Sequence, residues 1–172
     1  LTVQRRVNDA LSAAHRLEDM RALEALTRRR PRAAAELRGS ALEVLSSVRP
    51  EGGFAWLVDP DGQVRLGMDG ADPDAAPRSV FGHPLIRQAR AGYAGDMPWR
   101  DGSPLVWGAA APLVLGGRAR GAVVVGWPVD QAFIAGLAQD LGVELTLLRG
   151  DAMVHTTLER PDAEAVLRPA FS

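Results

Sequence analysis

At 172 residues the chain can bury about 70% of the surface its unfolded form exposes, so its core needs no covalent or metal staple. A 47% hydrophobic, 24% charged composition is that of a globular chain. A net charge of −1, with 20 arginines spread among 21 carboxylates, presents no basic face for nucleic acid. Cysteine is absent, which excludes disulfides, thiol nucleophiles and cysteine-ligated zinc.

No apolar run approaches the ~20 residues of a membrane span, and no signal-peptide pattern opens the chain. A helical pattern is already under way at Leu1, as expected of a soluble fragment of a larger protein. It runs over residues 2–28, with Val3, Val7, Ala10, Ala14 and Leu17 at alternating steps of four and three, continued by Met20, Leu23 and Leu26. Two arrangements satisfy this heptad spacing: an amphipathic helix lying on its own domain, or the seam of a parallel dimer stalk. The Arg28-Arg29-Arg30 triplet suits a helix C-terminus, and Pro31 disfavours helix at the residue before it. A second helix follows from Pro31 to Val48, with Ala34, Leu37, Ala41, Leu45 and Val48 on one face. The linker Pro50-Glu51-Gly52-Gly53 ends it.

Phe54 to Val58 reads as a strand, turning through Asp59-Pro60-Asp61-Gly62 into a returning strand from Gln63 to Met68. Asp, Pro and Gly at these positions match a type I turn, and a calcium loop would need a longer acidic series ending in Glu. Residues 69–78 read as a surface loop. His83-Pro84 opens a short helix capped by Gly92, and 93–104 reads as irregular, with a tyrosine, a tryptophan and an arginine among turn formers. The longest apolar stretch then forms two strands, Leu105–Leu115 and Arg118–Trp127. Gly116-Gly117 between them suits a two-residue type I′ turn. The run Ala122-Val123-Val124-Val125 lacks alternation, the mark of a central strand covered on both faces. Asp130 caps a helix through Leu141 that Gly142 stops. Val143–Arg149 and Ala152–Thr156 form a last hairpin about Gly150-Asp151, and the tail carries a weak helical pattern at Ala165, Val166 and Leu167.

In this order, the segments FAWLVDPDGQVRL, HPLIRQARAG and PLVWGAAAPLVLGGRARGAVVVGWPVD resemble a Cache-type sensor domain, the PAS-like extracytoplasmic module of bacterial receptors. The resemblance covers most of residues 33–158, and GVELTLLRGDAMVHTTL resembles the start of a second, membrane-proximal part. It implies an α+β fold: an antiparallel sheet of about five strands, long N-terminal helices packed on one face and a ligand pocket on the other. The implied division is 1–50 for the N-terminal helices, 51–142 for the sensor core and 143–172 for a further hairpin and tail. It also implies a periplasmic location in a membrane-anchored receptor whose output is a histidine kinase, chemotaxis or cyclic-dinucleotide domain. A homodimer through the N-terminal helix is expected as well. The amino-acid-binding motif of some such domains is missing, so no ligand class carries over.

Tyr93, Trp99, Arg100 and Trp107 are the candidate ligand-binding residues. The rings offer flat apolar walls, and Arg100 offers a fork for a carboxylate, so a small-molecule ligand is expected, anionic where Arg100 holds it. The competing possibility is that Trp107 is core and Arg100 a solvated turn residue. Trp56 and Trp127 read as structural. His15, His83 and His155 lack any metal-ligand spacing, so no metal site is expected, and no cofactor motif is present. No Gly-x-Ser-x-Gly elbow or phosphate loop nominates an enzyme, and Arg149-Gly150-Asp151 reads as turn chemistry. The alternative to a sensor is a PAS-like interaction or dimerisation module with no small-molecule site.

Overall fold

The computed structural model describes residues 3–18, 31–68, 79–99, 105–150 and 152–158, with the side chains of 3–4 and 31–37 left aside. Within it, Gly116 and Gly117 adopt φ of 60° and 74°, the paired positive angles of a type I′ turn. The chain therefore folds back on itself. Strands β4 (Val106–Leu115) and β5 (Arg118–Pro128) pair antiparallel, from Leu115 opposite Arg118 to Val106 opposite Pro128. On its other edge β5 takes β1 (Phe54–Val58). Strands β2 (Val64–Met68) and β3 (Gly95–Trp99) close the two sides, giving the antiparallel order β2-β1-β5-β4-β3. From Gly121 to Trp127 every residue of β5 is buried, as the unalternating valine run requires of a strand covered on both faces.

Side chains alternate across this sheet. Trp107, Ala109, Ala111 and Leu113 of β4 share one face with Val123, Val125 and Trp127 of β5. Helix α1 (Val3–Glu18) packs there on β4 and β5, beside α2 (Pro31–Val48), which covers β1 and β2. Alanines at 10, 13 and 14 let the helix approach closely, and with Leu17 they are at most 1% exposed. Three of the five heptad positions are thus buried against the sheet of their own chain, so over 3–18 the apolar stripe is used inside the domain. Two polar contacts fix α1 at its ends. The Arg6 guanidinium lies 5.7 Å from the Trp127 ring centroid. A Glu18 carboxylate oxygen accepts the Val114 N–H at 2.7 Å, where a bulge interrupts β4.

The turn between β1 and β2 follows the expected chemistry. Gly62 N–H donates to the Asp59 carbonyl at 3.0 Å. The buried Asp59 carboxylate accepts from the N–H groups of Asp61 and Gln63 at 2.8 and 2.9 Å and from Arg65 Nε at 2.6 Å. These donors occupy both of its oxygens, which explains the acidic residue without a metal ion.

One expectation is corrected. Residues 95–99, read as irregular because of Gly95 and Pro98, form β3 and pair in register with Val106–Ala110. An edge strand has one unpaired row of N–H groups, so a proline that would break a central strand is tolerated. The expected continuation of α1 through 19–28, the Arg28–Pro31 break, the 69–78 loop, the 100–104 segment and the tail pattern at 165–167 lie outside the described residues.

The chain divides into two compact units, Val3–Pro128 and a second from Val129 onward. The second holds helix α4 (Gln131–Leu141) and the two-stranded ladder of β6 (Thr146–Arg149) with β7 (Ala152–Thr156). Asp130 caps α4 by accepting the Phe133 N–H at 2.8 Å, and Gly142 ends it in the left-handed conformation. Gln131 donates to the Thr156 carbonyl at 2.7 Å, tying α4 to β7.

Two glycines make opposite predictions. A Cβ at Gly121 would run into the backbone carbonyl of Val58, which cannot rotate away, whereas one at Gly39 in α2 would meet nothing within 4 Å. Gly121→Ala should cost about 2–3 kcal/mol, and Gly39→Ala should add about 0.5–1 kcal/mol through helix propensity. Urea unfolding of the two variants would check both signs.

Candidate ligand-binding face

The other face of the sheet is covered by α3 (Pro84–Arg90) and the chain on either side of it. Proline at the first helical position needs no N–H partner. His83 caps the helix, its Nδ1 accepting the Leu85 N–H at 3.3 Å, and Leu85, Ile86 and Ala89 point inward. The cap places the His83 imidazole flat on Trp99, with centroids 3.5 Å apart and planes inclined by 12°. Trp99 in turn sets its edge against Phe54 and Trp56, at 6.2 and 5.8 Å. Phe54 and Trp56, two residues apart on one side of β1, stack at 3.7 Å.

Four rings fit on this face because the strands beneath carry almost no side chain. A Cβ at Gly126 would overlap the Phe54 ring, and one at Gly108 would come within 3.1 Å of Trp99 Cε3. Ala110, Ala122 and Val124 complete the floor. Burying a large ring removes roughly 150–250 Å² from water, worth on the order of 5 kcal/mol at ~25 cal/mol per Å². A helix cap is worth about 1 kcal/mol. The rings therefore hold α3 on the sheet, and the cap sets its direction.

The structure does not gather the sequence-nominated residues into one site. Trp99 is 2% exposed, filling the core and lining no open wall. Its register partner on β4 is Val106, so Trp107, the next residue, projects from the opposite face. There the Trp107 indole N–H donates to the Asp96 carboxylate at 2.6 Å. Tyr93 is 71% exposed in the turn after α3, with its N–H on the Gln88 carbonyl at 3.0 Å. Arg100 lies outside the described residues. The pleat therefore sends Trp99 and Trp107 to opposite faces of the sheet. The residues that do accompany Trp99 are Phe54, Trp56 and His83. The signal for them was present as Phe54-x-Trp56 at period two, facing glycine and alanine at 108, 110, 122 and 126.

Of the other residues read as structural, Trp127 meets Arg6 of α1. His15 is exposed beside Glu18, 3.2 Å away. Among the described residues no group of three or more histidine, aspartate or glutamate side chains is placed to hold a metal ion. No helix among them is long and apolar enough to cross a membrane.

The five-stranded antiparallel sheet, with long N-terminal helices on one face and a short helix over the other, is an α+β fold of the PAS-like kind that the sequence resemblance implied. Comparison with solved structures places this chain beside two sensor domains. The sensory domain of the Campylobacter jejuni chemoreceptor Tlp3, solved with isoleucine bound, matches over 99% of this chain and 74% of its own. The TM-score is 0.56 at 14% identity. The sensor domain of the Vibrio cholerae histidine kinase DctB matches 67% of this chain at a TM-score of 0.52 and 15% identity. This chain spans only 46% of the DctB domain, and at these identities the likeness is one of fold. No protein-family model matches the chain, and no curated protein matches it by sequence.

Trp99→Ala should cost about 3–5 kcal/mol, the usual range for deleting a large buried ring. Trp107→Phe keeps its face filled and loses one hydrogen bond to a carboxylate, about 1.5–3 kcal/mol. Chemical denaturation of both variants, with Asp96→Asn as the partner control for Trp107, would check that order.

Proposed function

We propose that this chain is the extracytoplasmic ligand-sensing domain of a bacterial membrane receptor, and not an enzyme. The observation that carries this reading is the fold match over 99% of the chain to a chemoreceptor sensory domain solved with an amino acid bound. In this reading Arg100, the residue after Trp99, anchors an anionic group of the ligand such as a carboxylate. The sheet then passes the change to α1. Arg6 against Trp127 and Glu18 on Val114 support that step, since they tie the first and last turns of α1 to the β4–β5 hairpin. A shift in the twist of that hairpin would carry the helix as a rod and bias a two-state output, in a receptor that pairs through its N-terminal helix.

A second reading, an interaction or dimerisation module without a small-molecule site, is favoured by the packing of Trp99. The ring that was to wall a pocket is enclosed by Phe54, Trp56 and His83.

A thermal-shift panel of carboxylates, amino acids, sugars, nucleotides and divalent metals separates the two readings. A ligand at ~100 times its dissociation constant adds about 2.7 kcal/mol, which for a chain of this size raises Tm by roughly 5–10 °C. The sensing reading expects a hit among the carboxylates or amino acids that Arg100→Ala removes. A flat panel, with a dimer indifferent to all these compounds, would instead support the interaction module.

A further inference from the structure

We infer that the outer side of α3 and its two flanking turns form a docking surface for an acidic segment of a partner protein. Phe81 and Tyr93 are 68% and 71% exposed, the two most exposed of the large apolar and aromatic side chains described. They sit at opposite ends of α3, which is about 10 Å long at 1.5 Å per residue. Between them Arg87 and Arg90 are exposed on the helix, and the Arg90 guanidinium lies 5.7 Å from the Phe81 ring centroid. Ring and cation therefore form one continuous patch.

Nothing in the core requires these rings outside. The helix already buries Leu85, Ile86 and Ala89 on its inner side. Each ring is instead presented by a fixed turn. Gly82 and Gly92, adjacent to Phe81 and Tyr93, adopt φ of 89° and 93°, and a Cβ on either would meet nothing within 4 Å. Glycine is needed there for backbone conformation, not for space.

The charge specifies the partner. Residues 79–95 contain no carboxylate, the carboxylate of Asp96 is held by Trp107 on the opposite face of the sheet, and Asp61, next to the Gly62 that abuts the Phe81 backbone, stands at one margin of the patch. A cationic surface flanked by aromatic rings has the Tyr, Phe and Arg composition of protein hot spots, and its complement is a segment of carboxylates with an apolar side chain. Two arginines fall short of the roughly four to eight basic residues that mark a lipid-binding cluster, so a protein segment fits better than a membrane surface. With on the order of 300 Å² of ring surface available, the contact is small and transient. This inference does not rest on the proposed ligand binding: Tyr93 is a candidate in both, but Phe81, Arg87 and Arg90 belong to the docking surface alone.

The test uses a fluorescein-labelled peptide of glutamates with two phenylalanines, and the same peptide with lysine in place of glutamate. Anisotropy titrations at low and high salt read its binding to the chain. The glutamate peptide should saturate with a dissociation constant on the order of 10–100 μM at low salt and weaken at high salt, while the lysine peptide should not bind. Arg87→Glu with Arg90→Glu, and separately Phe81→Ser with Tyr93→Ser, should each weaken binding by at least about tenfold with an unchanged circular dichroism spectrum. Should a pair fail to fold, the single variant Arg90→Gln and the salt dependence of the unaltered chain still decide. Absence of saturation, equal affinity in the variants, or equal binding of the lysine peptide would each overturn the proposal. So would binding to phosphatidylglycerol vesicles that the peptide does not displace, or a dimer in sedimentation that the arginine variants dissolve.

Discussion

The structure depends on rings seated over a floor of glycine and alanine. Phe54, Trp56 and Trp99 meet on one face where β4 and β5 present Gly108, Ala110, Ala122 and Gly126 beneath them, with Val124 the one larger side chain among these. Two bulky residues in register across that sheet would push the rings apart and lift α3. Close packing makes this a two-sided constraint: a larger floor overlaps the rings, and smaller rings leave a cavity that the backbone cannot collapse to fill. The placement of α3, and through it of any site on that face, follows from this fit.

The opposite face uses different chemistry for the same purpose. Helix α1 approaches on alanines, so it gains close contact but little apolar area per residue. The deficit is offset by specific polar and cation–π contacts, Arg6 with Trp127 and Glu18 with the β4 bulge. A helix held by a few discrete contacts over a shallow apolar seam moves more readily than one locked by interdigitated leucines.

Comparison with receptor sensor domains supplies the architecture, and the residues supply the differences. The match to the sensory domain of Tlp3 has a TM-score of 0.56 at 14% identity, so what is common is backbone arrangement. The four-ring cluster, the Asp96–Trp107 pair and the exposed aromatic-cationic side of α3 are properties of this sequence. Any selectivity must be argued from them.

The local elements were legible in the sequence because their causes are local. Gly116-Gly117 could serve only a turn with positive φ, Asp130 and Gly142 bracket a helix, and the valine run of β5 could be satisfied only by burial on both faces. Strand β3 was hidden, since Gly95 and Pro98 oppose strand formation by themselves and are acceptable only on an edge paired to β4. The separation of the candidate residues was hidden for a related reason. Tyr93, Trp99 and Trp107 are close along the chain, but one turn and the pleat of two strands send them to the surface, the core and the far face. The rings that surround Trp99 come instead from β1 and from the cap of α3, between 16 and 45 residues earlier in the chain. The sequence by itself determined the elements and their alternating pattern. Only the tertiary structure decided which rings share a face, because that depends on strand register and pairing order, which the spacing of residues along one chain does not encode.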